Sequence, residues 1–186
     1  MKLLKLEKVK DGRYLKNYEL TYLNKAGKEK TYEIVSRREL KKISDLGKNP
    51  SGISIVATCG DKLLLLREFR MGINQNVFNL CAGMLEENET LEECIARELY
   101  EETGLKLKKI KRILPASYAA VAISDLKTYI VFAEVEGTLG DHTSANEEIK
   151  AALYSREEVA KLLETEDFSS RAQIAAYFFS IGVTPI

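Results

Sequence analysis

The stretch from Gly83 to Leu105 restricts the possible folds of this chain more than any other. It reads Gly-Met-Leu-Glu-Glu-Asn-Glu-Thr-Leu-Glu-Glu-Cys-Ile-Ala-Arg-Glu-Leu-Tyr-Glu-Glu-Thr-Gly-Leu. Thr90-Leu-Glu-Glu93 has capping-box spacing, so a helix should begin there, the Thr90 hydroxyl meeting an early N–H and Glu93 reaching back. Strong helix formers continue until Gly104, which suits the left-handed position just past a helix end. The fold must therefore place a capped helix directly after a glycine-marked bend.

On that helix Glu98, Glu101 and Glu102 fall within an arc of about 100°. Such a row is either a solvated face laced with ion pairs or a cation site, because carboxylates this close repel one another. The glycine frame favours the cation: Gly83 lets the backbone approach a ligand, and Gly104 ends the helix just after the cluster. Hard oxygen donors suit Mg²⁺, with Mn²⁺ as a substitute, both of which keep positions for water and phosphate oxygens. Arg97, four residues after Glu93 and four before Glu101, is placed to orient neighbouring carboxylates.

Composition narrows the partners. Across 186 residues, 28 Lys and Arg balance 28 Asp and Glu, so no broad basic field exists to gather nucleic acid. The three cysteines, Cys59, Cys81 and Cys94, show no metal or redox spacing, and no signal-peptide pattern opens the chain. These features lead us to expect a reduced, cytoplasmic protein. Apolar runs such as Leu63 to Leu66 are too short to cross a bilayer, so no membrane span is expected.

Apolar–polar alternation before residue 35, broken at Asn24-Lys-Ala-Gly27, predicts a hairpin or small antiparallel sheet. Breakers between Ser44 and Gly52 suggest a boundary, giving an N-terminal sheet over residues 1–45 and a second domain over 46–186. In the latter, strands are expected over Ile53–Thr58, Lys62–Glu68, Val77–Ala82, Ile110–Leu114, Thr128–Val135 and Ile149–Tyr154. Further helices should open at Ser155, with Glu158 at capping-box spacing, and at Ser169 or Ser170. His142, the only histidine, reads as a solvated loop residue.

The box fits G-x5-E-x7-R-E-U-x-E-E-x-G-U, with U aliphatic, without a departure, and so resembles the signature of the Nudix hydrolases. That resemblance implies an α+β fold: an α/β/α sandwich around a mixed central sheet, here preceded by the small N-terminal sheet. It implies that Glu98 and Glu102 are metal ligands, that Glu101 is a ligand or positions water, and that the Ala82 carbonyl completes the shell. Leu66-Arg-Glu-Phe-Arg70, Cys81-Ala-Gly-Met-Leu-Glu86 and Asn146-Glu-Glu-Ile149 further resemble the ADP-ribose pyrophosphatase and nucleoside-diphosphate-sugar hydrolase branch. In that branch the N-terminal sheet exchanges across a two-fold axis, which implies a homodimer. The resemblance places Arg38 and Glu39 at the base, Arg70 at the substrate phosphate, and Glu147 on a late loop over the metals. The implied reaction is Mg²⁺-dependent cleavage of a nucleoside diphosphate linked to a sugar, ADP-ribose-like or GDP-mannose-like, into a nucleoside monophosphate and a sugar phosphate.

Three departures bear on substrate choice. The acidic residue usual two positions before Glu147, a candidate base, is Ala145. Where the branch has Glu-Leu-Pro-Ala-Gly, this chain has Asn79-Leu-Cys-Ala-Gly83, similar in its Cys-Ala-Gly to the GDP-mannose hydrolases. The loop after the box, Ser117 to Asp125, lacks Pro and Gly and offers Tyr118 as a stacking surface. The alternatives are a nucleoside-triphosphate-sanitising enzyme, typically without an N-terminal sheet, and a non-catalytic nucleotide-sugar sensor, which would usually have lost box carboxylates.

Overall fold

A computed structural model describes residues 1–140, 142–143 and 146–183. The backbone divides into two compact units: Met1–Ser51 with Ala116–Thr128, and Gly52–Pro115 with Tyr129–Ile186.

In the first unit β1 (Lys2–Asp11), β2 (Lys16–Leu23) and β3 (Glu29–Ser36) form an antiparallel sheet in sequence order. The β2–β3 turn is set by Asn24, whose side-chain oxygen accepts the Ala26 and Lys28 N–H groups at 2.8 and 3.1 Å. Gly27 supplies the positive φ of 71° that the turn requires. Alternation along β2 and β3 sends Tyr18, Leu20 and Ile34 to one face, where they pack with Leu40.

The second unit carries the central sheet. β4 (Gly52–Cys59) and β5 (Lys62–Arg70) form the expected hairpin, pairing Thr58 with Leu63 and Cys59 with Lys62. The single strand expected over Val77–Ala82 is in fact two, β6 (Gln75–Asn79) and β7 (Cys81–Met84). β6 pairs with β5 and β7 with β4, and the change of partner falls at Leu80. The sequence carries no sign of such a switch, because residues 77–81 are buried on both sides of it and Asn79 is the one polar residue among them.

The box helix α1 (Leu91–Thr103) follows, and then β8 (Lys106–Ile113), which begins earlier than its apolar residues suggest and carries lysines along an edge. The chain re-enters the first unit at β9 (Ser117–Tyr118), which pairs with the first residues of β10 (Lys127–Glu136). The sheet closes with β11 (Ile149–Tyr154), antiparallel to β5, in the order β11-β5-β4-β10-β8. Helices α2 (Arg156–Thr165) and α3 (Ser170–Ser180) start where sequence placed them, capped by Ser155 and Ser169.

Two layers of core flank this sheet. Leu64 and Leu66 of β5 pack with Ile95 and Leu99 of α1, whereas Leu63 and Leu65 pack with Val159 of α2 and Ala172, Ala176 and Phe179 of α3. Successive side chains of a strand point to opposite faces, so four leucines in a row serve both layers. The α+β sandwich with a mixed sheet, plus a small antiparallel sheet, is the fold that sequence implied.

Candidate active site

Two caps fix where the box carboxylates stand. Thr90 Oγ1 accepts the Glu93 N–H at 3.3 Å, the Glu93 carboxylate accepts the Thr90 N–H at 2.9 Å, and Gly104 closes the helix at φ 73°. Burial of Cys94, Ile95 and Leu99 turns one face of α1 to the sheet.

Arg97 is the centre of the acidic cluster. Its Nε and Nη2 donate to the two carboxylate oxygens of Glu89 at 2.7 and 2.9 Å, and its Nη1 donates to Glu98 at 2.8 Å and Glu101 at 3.2 Å. Nη2 also reaches the Met84 carbonyl at 3.1 Å. The fork thereby ties the loop before the helix to the helix itself. The same guanidinium pulls Glu89 down to about 2. Sequence reading gave Arg97 its orienting role but left Glu89, a fixed letter of the box, without one; this bidentate pair supplies it.

Glu98, Glu101 and Glu102 do not share one environment. The Glu98 and Glu102 side chains turn inward toward β7, while Glu101 remains exposed beside Arg97. Burial pushes Glu102 up to about 8, against the opposing pull of the Cys81 thiol and of the Ala82 N–H, which donates to it at 3.1 Å. Burial also raises Glu98, with Arg97 opposing. The contact seen at Ala82 is thus from its N–H to a carboxylate. A methyl group on Gly83 would overlap the Glu98 carboxylate, so glycine is needed for that side chain to lie where it does.

This donor set fits a divalent cation. Two carboxylates sit in the interior at the C-terminal half of a helix, where the helix dipole already disfavours negative charge. All donors are hard oxygens suited to Mg²⁺. Among the described residues, however, no three Asp, Glu, His or Cys side chains form a ready-made cage. Arg97 holds Glu98 and Glu101, so binding would draw carboxylates from its fork.

A third interior carboxylate has no role legible in the sequence. Glu68 on β5 is 6% exposed and accepts a short hydrogen bond from the Asn79 amide. Asn79 Oδ1 in turn accepts the Ser169 hydroxyl at 2.6 Å. Arg70, on the next outward position of β5, lies 3.3 Å from Glu68 and keeps most of its guanidinium in solvent. Ile149 pairs with Glu68, which brings the start of β11 and the exposed Glu147 to this end of β5. Ala145 lies outside the described residues. His142 is exposed as expected, yet its ring stacks on Tyr100 of α1 at 4.6 Å. The Glu-to-Asn change at position 79 was visible in the sequence, but only its partner on a neighbouring strand gives it meaning.

The remaining residues of interest belong to the first unit. Arg38 donates to the carbonyls of Asn49 and Pro50 at 3.1 and 2.8 Å, beside a polar cavity of about 150 Å³ that Glu39, Lys48 and Asp125 also line. Glu39 pairs with Lys8 at 3.0 Å. Tyr118 lies against Gly47, has Lys127 Nζ 5.1 Å from its ring centre, and remains half exposed.

A glycine-framed, capped helix delivering buried glutamates to the end of a sandwich sheet defines a class of protein, and comparison with known families agrees. The NUDIX domain model matches residues 48–177, and the chain belongs to the Nudix family. It is 27% identical over 136 residues to the ADP-sugar pyrophosphatase of Mus musculus, covering 70% of this chain and 60% of that protein. It is 26% identical over 126 residues to the ADP-ribose pyrophosphatase of Bacillus subtilis, covering 66% of this chain and 68% of that protein. The match thus spans about three fifths to two thirds of these relatives' lengths. A crystal structure of an ADP compounds hydrolase shares the fold, with a TM-score of 0.73 at 22% identity, covering 98% of this chain and 96% of that one. Among the described residues no helix is long and apolar enough to cross a membrane.

Proposed function

We propose that this chain is a Mg²⁺-dependent pyrophosphatase acting on a nucleoside diphosphate linked to a sugar, ADP-ribose-like or GDP-mannose-like. The observation that carries this reading is the pair of interior carboxylates, Glu98 and Glu102, on a helix framed by Gly83 and Gly104. The likeness to ADP-sugar and ADP-ribose pyrophosphatases supports the substrate class.

Glu98 and Glu102 would hold the cation, with Glu101, Glu147 and the Ala82 carbonyl as further ligands. A bound divalent ion would neutralise the pyrophosphate and lower the pKa of an attacking water. Glu102, Glu101 or Glu147 would accept the proton of that water. Arg97 keeps Glu98 and Glu101 in register through its fork. Arg70, anchored by Glu68 and largely in solvent, would receive a phosphate oxygen. Arg38, Glu39 and Tyr118 are proposed as base-binding residues. Residues 1–45 are proposed as a dimerisation element preceding a catalytic domain over 46–186, and the three free cysteines suit a cytoplasmic enzyme.

Incubating the purified chain with ADP-ribose, GDP-mannose and related compounds, with and without Mg²⁺, tests the proposal. The expected products are a nucleoside monophosphate and a sugar phosphate. Glu102→Gln should lose metal-dependent turnover by about 10³-fold with the fold retained. No hydrolysis of any of these compounds would refute the substrate class, and full activity in Glu102→Gln would refute the ligand assignment.

A further inference from the structure

On the face of the central sheet covered by α3 there is a cavity of about 390 Å³. That lies within the range of roughly 300 to 1,000 Å³ occupied by small-molecule sites. Its wall is apolar, formed by Val56, Leu80, Ile130 and Phe132 from the sheet region and by Ile174 and Phe178 from α3. Among the described residues, Arg171 is the one charged side chain lining it.

Arg171 keeps its guanidinium accessible to solvent. It is half-buried, and among the described residues no hydrogen bond or ion pair holds its guanidinium. Burial and the neighbouring Arg70 both work against its charge, yet a guanidinium does not lose its proton in a protein. It also stands in the first turn of α3, where the positive end of the helix dipole adds to the repulsion. Arg97 and Arg38, by contrast, donate to carboxylates and carbonyls of the protein.

We propose that this cavity binds an amphipathic anion, with its apolar body against the cavity wall and a carboxylate or phosphate head on the Arg171 guanidinium. The fork of arginine matches either head in bidentate fashion, and the apolar wall, open to solvent along α3, offers the tail a surface with few competing polar groups. α1 packs on the opposite face of the sheet, so the site is separate from the acidic cluster; it stands beside Arg70, the proposed phosphate contact, so the Arg171 variants distinguish it from binding at Arg70.

Calorimetric titration of the full chain with octanoate, octyl phosphate and neutral octanol tests this. Saturable one-site binding of at least one anion is expected, with octanol weaker by about tenfold or more. The stronger of the two anions shows which head the site prefers. Arg171→Met should cut anion affinity by about tenfold or more and leave octanol unchanged. Ala175→Phe, at another lining position, should fill the cavity and abolish binding of all three. Arg171→Lys, which keeps the charge but loses the fork, should give intermediate affinity and serves as the test if the Met variant fails to fold. Equal binding of octanol and octanoate would overturn the proposal, as would unchanged anion affinity in Arg171→Met. So would absence of saturable binding, including the case where the face is instead buried in a dimer that Ile174→Glu dissociates.

Discussion

Glu102 combines two opposed demands in one side chain: burial raises its pKa to about 8, while cation binding requires its charge. In the metal-free protein this has a definite sign. Unfolded, the carboxyl titrates near its ordinary 4.5; folded, near 8, so between these values the folded chain holds a proton that the unfolded chain has released. Stability is therefore full below the unfolded value and is lost as pH rises toward the folded one. Thermal unfolding in EDTA should show a melting temperature that falls between about pH 5 and pH 8, and Glu102→Gln should flatten that fall. Identical pH dependence in both proteins would remove Glu102 as its source.

Helix α1 and the strand before it provide two substitutions with contrasting outcomes. Gly83→Ala would push only the mobile end of Glu98, so the melting temperature should hold while Mn²⁺ affinity, read by electron paramagnetic resonance, drops by about tenfold or more. A large loss of stability with unchanged Mn²⁺ binding would contradict this. Thr90→Ala removes a cap and should cost about 1 kcal/mol, lowering the melting temperature by roughly 2–4 °C. The caps at Thr90, Ser155, Ser169 and Gly104 were legible in sequence because each is a local bargain between a side chain or φ angle and its own helix end. The break at Leu80 was not, because it depends on which strand lies alongside. The role of Glu68 was not legible for the same reason: its burial and its Asn79 partner come from pairing across strands, whereas Arg97 and its glutamates are brought together by one helix and the loop before it.

For the molecule as a whole, the proposed role of the N-terminal sheet implies that the full chain sediments as a homodimer and that a chain lacking residues 1–45 does not. A monomeric full-length chain would refute that role. The hydrogen-bonded series Arg70, Glu68, Asn79, Ser169 has another consequence. Ser169 also caps α3 by accepting the Ala172 N–H, so one hydroxyl serves both the helix start and the support of Arg70. Asn79→Leu should therefore speed amide hydrogen–deuterium exchange at Ala172 and Gln173, a segment apart from residue 79 in sequence. Unaltered exchange there would show the two ends to be independent. If they are linked, the first turn of α3 acts as a gauge of Arg70: a phosphate captured there would register as slower solvent exchange at the backbone that Ser169 caps.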